Sequence, residues 1–227
     1  MEHLEEGDYG IRVFKPTQSL ARSTDGINWT IEQLPYAACY TNIATISATK
    51  SICLVAEDSP YALIESHTYE GPTWTQVDLH KTMNLKVVTG ARLYNHMTGD
   101  MEDVYVGGGA GEIVIFTKDG VLTTSASPLE SIESIAFKEH YYYHSNGRII
   151  ITGTDKNYAI ASLTSDEETF LTGVEWEHFT ANILGYGHSE VRTFETYYED
   201  YGEPVPEFII VTSGGIFGYR YDTNPFE

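Results

Sequence analysis

The stretch Val104-Tyr-Val-Gly-Gly-Gly-Ala-Gly-Glu-Ile-Val-Ile-Phe116 sets two short apolar runs on either side of a glycine-rich break. Each run is rich in β-branched and aromatic residues and too short for a helix, so the pair reads as two neighbouring strands of a hairpin. The same pair recurs along the chain. A first strand is expected at Ile11–Phe14, Ile52–Ala56, Val104–Gly107, Ile149–Thr152 and Phe208–Thr212, with starts 41, 52, 45 and 59 residues apart. A second follows at Ser19–Arg22, Tyr61–Glu65, Glu112–Phe116, Tyr158–Ala161 and Ile216–Tyr219. Turn-forming residues separate them, as in Glu57-Asp58-Ser59-Pro60 and Thr154-Asp155-Lys156-Asn157.

Working outward, a third strand is marked by tryptophan at Trp29, Trp74 and Trp176, with Val121-Leu122-Thr123 in the unit between. A fourth is expected at Asn42–Ser47, Lys86–Tyr94, Ile132–Phe137 and Glu190–Thr196. Four short strands per unit at a period near 45 residues predict an all-β fold, a β-propeller of about five four-stranded blades in one domain, residues 1–227. The first unit lacks a fourth-type strand ahead of Ile11, and the last lacks a tryptophan strand after Tyr221. Residues 1–10 could supply a missing strand and close the ring; alternatively, an open ring pairs its edges with another chain.

Composition narrows the function classes. The chain has 227 residues, 41% hydrophobic and 13% aromatic, enough for a packed core. Its formal net charge of -20 opposes nucleic acid and anionic membrane as partners, because both need concentrated positive charge. Cys39 and Cys53 lie among apolar neighbours and read as small buried hydrophobes, not a disulfide framework. The acidic N-terminus has no apolar signal-peptide core, and no run is long enough to span a membrane as a helix. A cytoplasmic or virion location is the expectation.

Ser23-Thr24-Asp25-Gly26-Ile27-Asn28-Trp29-Thr30 resembles an Asp-box, the Ser-x-Asp-x-Gly-x-x-Trp hairpin (the BNR repeat) of sialidase-type propellers, with Gly directly after Asp. Degraded copies follow at Ser66–Trp74, Thr117–Gly120 and Ser165–Trp176. In that family the boxes lie outside the central site, so the resemblance implies a fold and no activity. Ser23, Asp25, Gly26 and Trp29 are expected to build the turn: the carboxylate bonds turn amides, Gly26 takes positive φ, and the indole packs between blades. The short, acidic, leaderless form is also similar to propellers found among phage tail and capsid-associated proteins.

Catalytic chemistry finds little footing. A sialidase site is expected to use three arginines and a tyrosine–glutamate nucleophile on six blades; this shorter chain has six arginines in all. A glycoside hydrolase needs two facing carboxylates, for which Glu65, Glu112 and Glu190 are the nominees. An acidic chain also places carboxylates on strands facing solvent, and that is the reading adopted. His140 and His144 lack the helix that would present both to a metal. Gly107–Gly111 lacks a following Lys-Ser/Thr and reads as a flexible hairpin turn, not a phosphate cradle. Asp119, Asp155 and Asp166 read as caps of turn amides. Tyr141, Tyr142, Tyr143, Tyr197, Tyr198 and Tyr201 form the candidate binding surface, since exposed tyrosine offers rigid contact area. The expectation is a non-enzymatic binding or assembly module without cofactor or metal. Its partner is either the other protein subunits of an assembly or, in a lectin-type alternative, a glycan.

Overall fold

The structure, a computed structural model, describes residues 9–14, 19–23, 25–36, 38, 40–46, 48–68, 71–80, 84–138, 147–153, 157–179, 190–193, 208–212 and 215–219. Of 9–14, 68, 138, 178–179, 190–193, 208–212 and 215–219 it describes the backbone alone.

Five antiparallel sheets follow one another in chain order. The first holds β1 (Tyr9–Phe14), β2 (Ser19–Ser23) and β3 (Thr30–Gln33). The second holds β4 (Asn42–Ile46), β5 (Ser51–Val55), β6 (Tyr61–Thr68) and β7 (Gly71–Asp78). The third holds β8 (Val87–Asn95), β9 (Asp100–Gly108), β10 (Glu112–Thr117) and β11 (Gly120–Ala126). The fourth holds β12 (Ile132–Lys138), β13 (Arg148–Gly153), β14 (Tyr158–Thr164) and β15 (Gly173–Phe179). The fifth holds β16 (Glu190–Thr193), β17 (Phe208–Thr212) and β18 (Gly215–Tyr219). Within each sheet, strands neighbour one another in sequence order, so every sheet is an up-and-down meander.

The fourth-type strands of the repeat change place. Asn42–Ile46, Val87–Asn95, Ile132–Lys138 and Glu190–Thr193 do not finish one sheet; each begins the next. These first strands lie side by side across the molecule, β4 against β8, β8 against β12 and β12 against β16. They therefore form the inner wall of a β-propeller, with β7, β11 and β15 outermost. The tryptophans also sit deeper than expected: Trp74 and Trp176 lie within β7 and β15 and do not open them.

The middle strands are buried on both faces, which explains their unbroken apolar runs. In β5 the alternation assigns Ile52 and Leu54 to the core shared with the first sheet, and Cys53 and Val55 to the core shared with the third. In β10, Val114 and Phe116 face the second sheet while Ile113 and Ile115 face the fourth. Each core thus fills the gap between consecutive sheets.

The glycine-rich stretch is not a flexible turn. Gly107 and Gly108 are buried ladder positions of β9. A Cβ on Gly107 would meet Leu85 Cδ1 at 2.8 Å, and one on Gly108 would meet Ile132 at 3.1 Å. The turn proper is short, and Gly111 with φ of 71° closes it.

Candidate functional site

Asp25 organises the loop between β2 and β3. Its Oδ1 accepts from the amides of Asn28 at 2.7 Å and Ile27 at 2.8 Å, and from Ser23 Oγ at 2.9 Å. Its Oδ2 accepts from Asn28 Nδ2 at 2.6 Å. The amides of Asn28 and Ile27, then the side chains of Asn28 and Ser23, hold this carboxyl well below the usual carboxylate range. Gly26 follows at φ of 70°. Trp29 departs from the expected packing between blades, for it is 41% exposed, with Ile27 at 81% and Ile31 at 66% beside it.

Behind that loop lies a polar seam between the first and second sheets. Glu65 on β6 is fully buried, so the solvent-facing reading of this carboxylate is overturned. Arg22 on β2 bonds Glu65 Oε2, bonds Glu32 Oε2 on β3 at 2.9 Å, and stacks 5.8 Å from the Trp74 ring. Trp74 Nε1 donates to Glu32 Oε1 at 3.1 Å. The other Glu65 oxygen makes no hydrogen bond and faces His67 Nε2 at 3.7 Å. A carboxylate bonded to a guanidinium inside a sheet-to-sheet gap ties the two sheets together.

The other nominees do not join it. Glu112 stands on β10 in the third sheet, partly buried. Glu190 begins β16, and its side chain lies outside the described residues. Tyr141, Tyr142, Tyr143, Tyr197, Tyr198 and Tyr201 likewise lie outside them, as do Cys39, His140, His144 and Asp155. Cys53 is a buried free thiol whose pKa burial pushes up. Asp166 accepts from the Glu168 amide at 2.9 Å, a turn cap. Asp119 sits in the β10–β11 turn, where its own amide donates to Thr117 Oγ1 at 3.2 Å.

Further polar ties repeat around the molecule. Asp103 on β9 accepts from Thr49 in the β4–β5 turn and from Ser51 on β5, each at 2.5 Å. Lys86, just before β8, meets Glu133 of the fourth sheet at 3.2 Å. Trp176 Nε1 donates to Ser125 Oγ on β11 at 3.1 Å.

One surface went unnoticed in the sequence. The β8–β9 hairpin has strands of 9 residues each, longer than any others described. At its tip Tyr94 pairs directly with Met101, and Met97 sits in the turn between them. Their exposures are 52%, 36% and 50%. The turn is firmly set: Asn95 Oδ1 accepts from the Met97 amide at 2.9 Å, Gly99 takes φ of 78°, and His96 Nε2 lies 2.9 Å from the Asp166 carbonyl. The missed signal was compositional, since two of the chain's four methionines, Met97 and Met101, fall in this short segment.

No protein-family model matches the chain, and no curated protein matches it. Among solved structures, it is similar to BBS1N as seen in a mercury-soaked crystal complex with ARL6DN. That alignment covers 90% of this chain and 71% of that one, at 10% identity and a TM-score of 0.44. The propeller assignment rests on this chain's own sheet order and on the cores between its sheets.

Proposed function

We propose that this propeller is a non-enzymatic protein-binding module that serves in an assembly. The observation that carries the reading is the β8–β9 tip. It is a hydrogen-bonded hairpin end offering tyrosine and two methionines to solvent from an acidic molecule. Contiguous exposed apolar side chains mark interaction sites, and methionine adapts to varied partner surfaces. The test is recovery of a defined partner from the native source by the wild-type protein and by a Tyr94→Ala, Met97→Ser, Met101→Ser variant. We expect recovery to fall about tenfold or more with the melting curve unchanged. Equal recovery by both proteins removes the reading.

Two finer assignments belong to this proposal. The Ser23-Asp25-Gly26-Trp29 turn is assigned to the Asp-box type, supported by the carboxylate bonds of Asp25 to the turn amides. The assembly is assigned to a phage particle, supported by the resemblance of the short acidic chain to tail and capsid-associated propellers. Mass spectrometry of purified virions tests the second, and absence of this chain from them sinks it. A glycan array tests the lectin alternative.

A further inference from the structure

Trp74 and Trp176 hold equivalent places in their sheets. Each lies on the outermost strand and sends its indole N–H back to the outermost strand of the preceding sheet, to Glu32 on β3 and Ser125 on β11. Trp29 opens the way into β3, the outermost strand of the first sheet, where no sheet precedes in chain order. Alternation along β3 settles which way it faces. Glu32 points at the second sheet, where it meets Arg22 and Trp74, so Ile31 and Trp29 belong to the opposite face. That is the face by which the other sheets receive their predecessor.

The inner part of this face is covered: Ser19 and Ala21, the β2 partners of Gln33 and Ile31, are each 2% exposed. The outer part is open at Trp29 and Ile31, with Ile27 beside them. Outermost strands elsewhere expose polar side chains, such as Thr73 and Gln76 on β7 and Glu175 and Glu177 on β15.

We infer that the apolar outer face of β3 is a seam that takes an extended β-strand from a basic partner protein, with Trp29 and Ile31 as its anchors. The seams at Trp74 and Trp176 give the shape of the occupant, because what receives the indole there is a strand. Charge selects its chemistry. Asp25, held ionised by its turn, stands at the edge of the patch, and the whole chain carries -20. A second copy meets like charge, whereas lysine or arginine flanking an apolar strand meets opposite charge. An extended strand presents every second side chain to such a face, and the apolar ones that reach Trp29 and Ile31 give affinity and selectivity.

This inference rests on the protein-binding reading but on a different surface. The probe is a fluorescein-labelled peptide alternating valine with lysine and threonine, titrated against the full chain and followed by anisotropy. One control peptide replaces the central valine by proline, and another replaces the lysines by glutamate. The alternating peptide is expected to bind at least about tenfold more tightly than either control, and about tenfold more tightly than it binds Ile31→Lys or Trp29→Ala. Both side chains are exposed, and a melting curve checks that the variants fold. No binding, equal binding of the proline control, or equal binding by the variants overturns the seam. Equal binding of the glutamate peptide overturns the basic partner, and a dimer abolished by Ile31→Lys reassigns the face to a second copy. Failure here with partner recovery through Met97 intact removes the seam alone; the reverse outcome removes the hairpin reading alone.

Discussion

Arg22 does three things at once: it neutralises Glu65, holds Glu32 and lies over Trp74. Removing it strands a fully buried carboxylate, and such a loss costs about 3–5 kcal/mol. Arg22→Ala should therefore lower unfolding free energy by that much in denaturant titrations. Arg22→Met combined with Glu65→Leu should recover most of it, because the gap is then apolar and filled. A double variant no better than Arg22→Ala would show that the packing, not the stranded charge, sets the loss. Asp25 makes a pH prediction of definite sign. Its folded pKa is depressed, so its contribution is fully present well above the unfolded value of about 3.9 and is lost progressively as pH falls from there through the depressed folded value. The gap in melting temperature between wild type and Asp25→Ala should be flat from neutral pH to about 5 and should then narrow progressively below about 4, as pH falls toward the carboxyl's depressed folded value. A gap that stays constant as pH falls below about 4 would mean that the turn is held by something other than the carboxylate.

At the level of strands and hairpins, the close approach of neighbouring sheets is set by glycine. A Cβ on Gly153 at the end of β13 would meet the Ser131 carbonyl at 2.7 Å, a backbone atom that cannot turn aside. At Gly107 the first obstacle is a Leu85 methyl at 2.8 Å, which can change rotamer. Gly153→Ala should therefore destabilise more than Gly107→Ala, with overpacking costs of about 1–3 kcal/mol setting the scale, read by chemical denaturation. Both paired runs of the repeat were legible in the sequence because β5, β10 and β13 are buried on two faces and read as unbroken apolar stretches. The strand after each tryptophan segment was found too, but its sheet was not. Its hydrogen bonds run forward to the following pair, and periodicity does not encode which neighbour a strand chooses. Glu65 shows the limit for the site. Its burial depends on Arg22, 43 positions earlier and in another sheet, so no local pattern distinguishes it from a solvated carboxylate. The β8–β9 tip was hidden for the opposite reason: exposure leaves no periodic trace.

Across the molecule, consecutive sheets are joined by apolar cores and by ties such as Arg22–Glu65, Thr49–Asp103, Lys86–Glu133 and Ser125–Trp176. Two electrostatic effects therefore compete when salt is added. The cross-sheet ion pairs among the described residues weaken, most of all Lys86–Glu133, which is partly exposed. The mutual repulsion of 33 acidic against 13 basic residues weakens as well, and that repulsion acts over the entire surface. Exposed charges more than about 10 Å apart are screened at ~0.1 M salt, whereas the Arg22–Glu65 tie lies in a buried gap and is screened far less. Repulsion should thus lose more than attraction. The melting temperature at neutral pH should rise as sodium chloride goes from about 10 mM to about 500 mM, because the screening length shrinks from about 30 Å to less than 8 Å. Sodium sulfate would confuse the result by strengthening apolar burial, so chloride is the salt to use. The rise should shrink in a variant with several exposed acids neutralised away from the seams, for example Asp58→Asn, Glu130→Gln and Glu167→Gln. A fall in melting temperature with chloride would mean that the cross-sheet ion pairs, and not the net charge, dominate the electrostatic balance between these sheets.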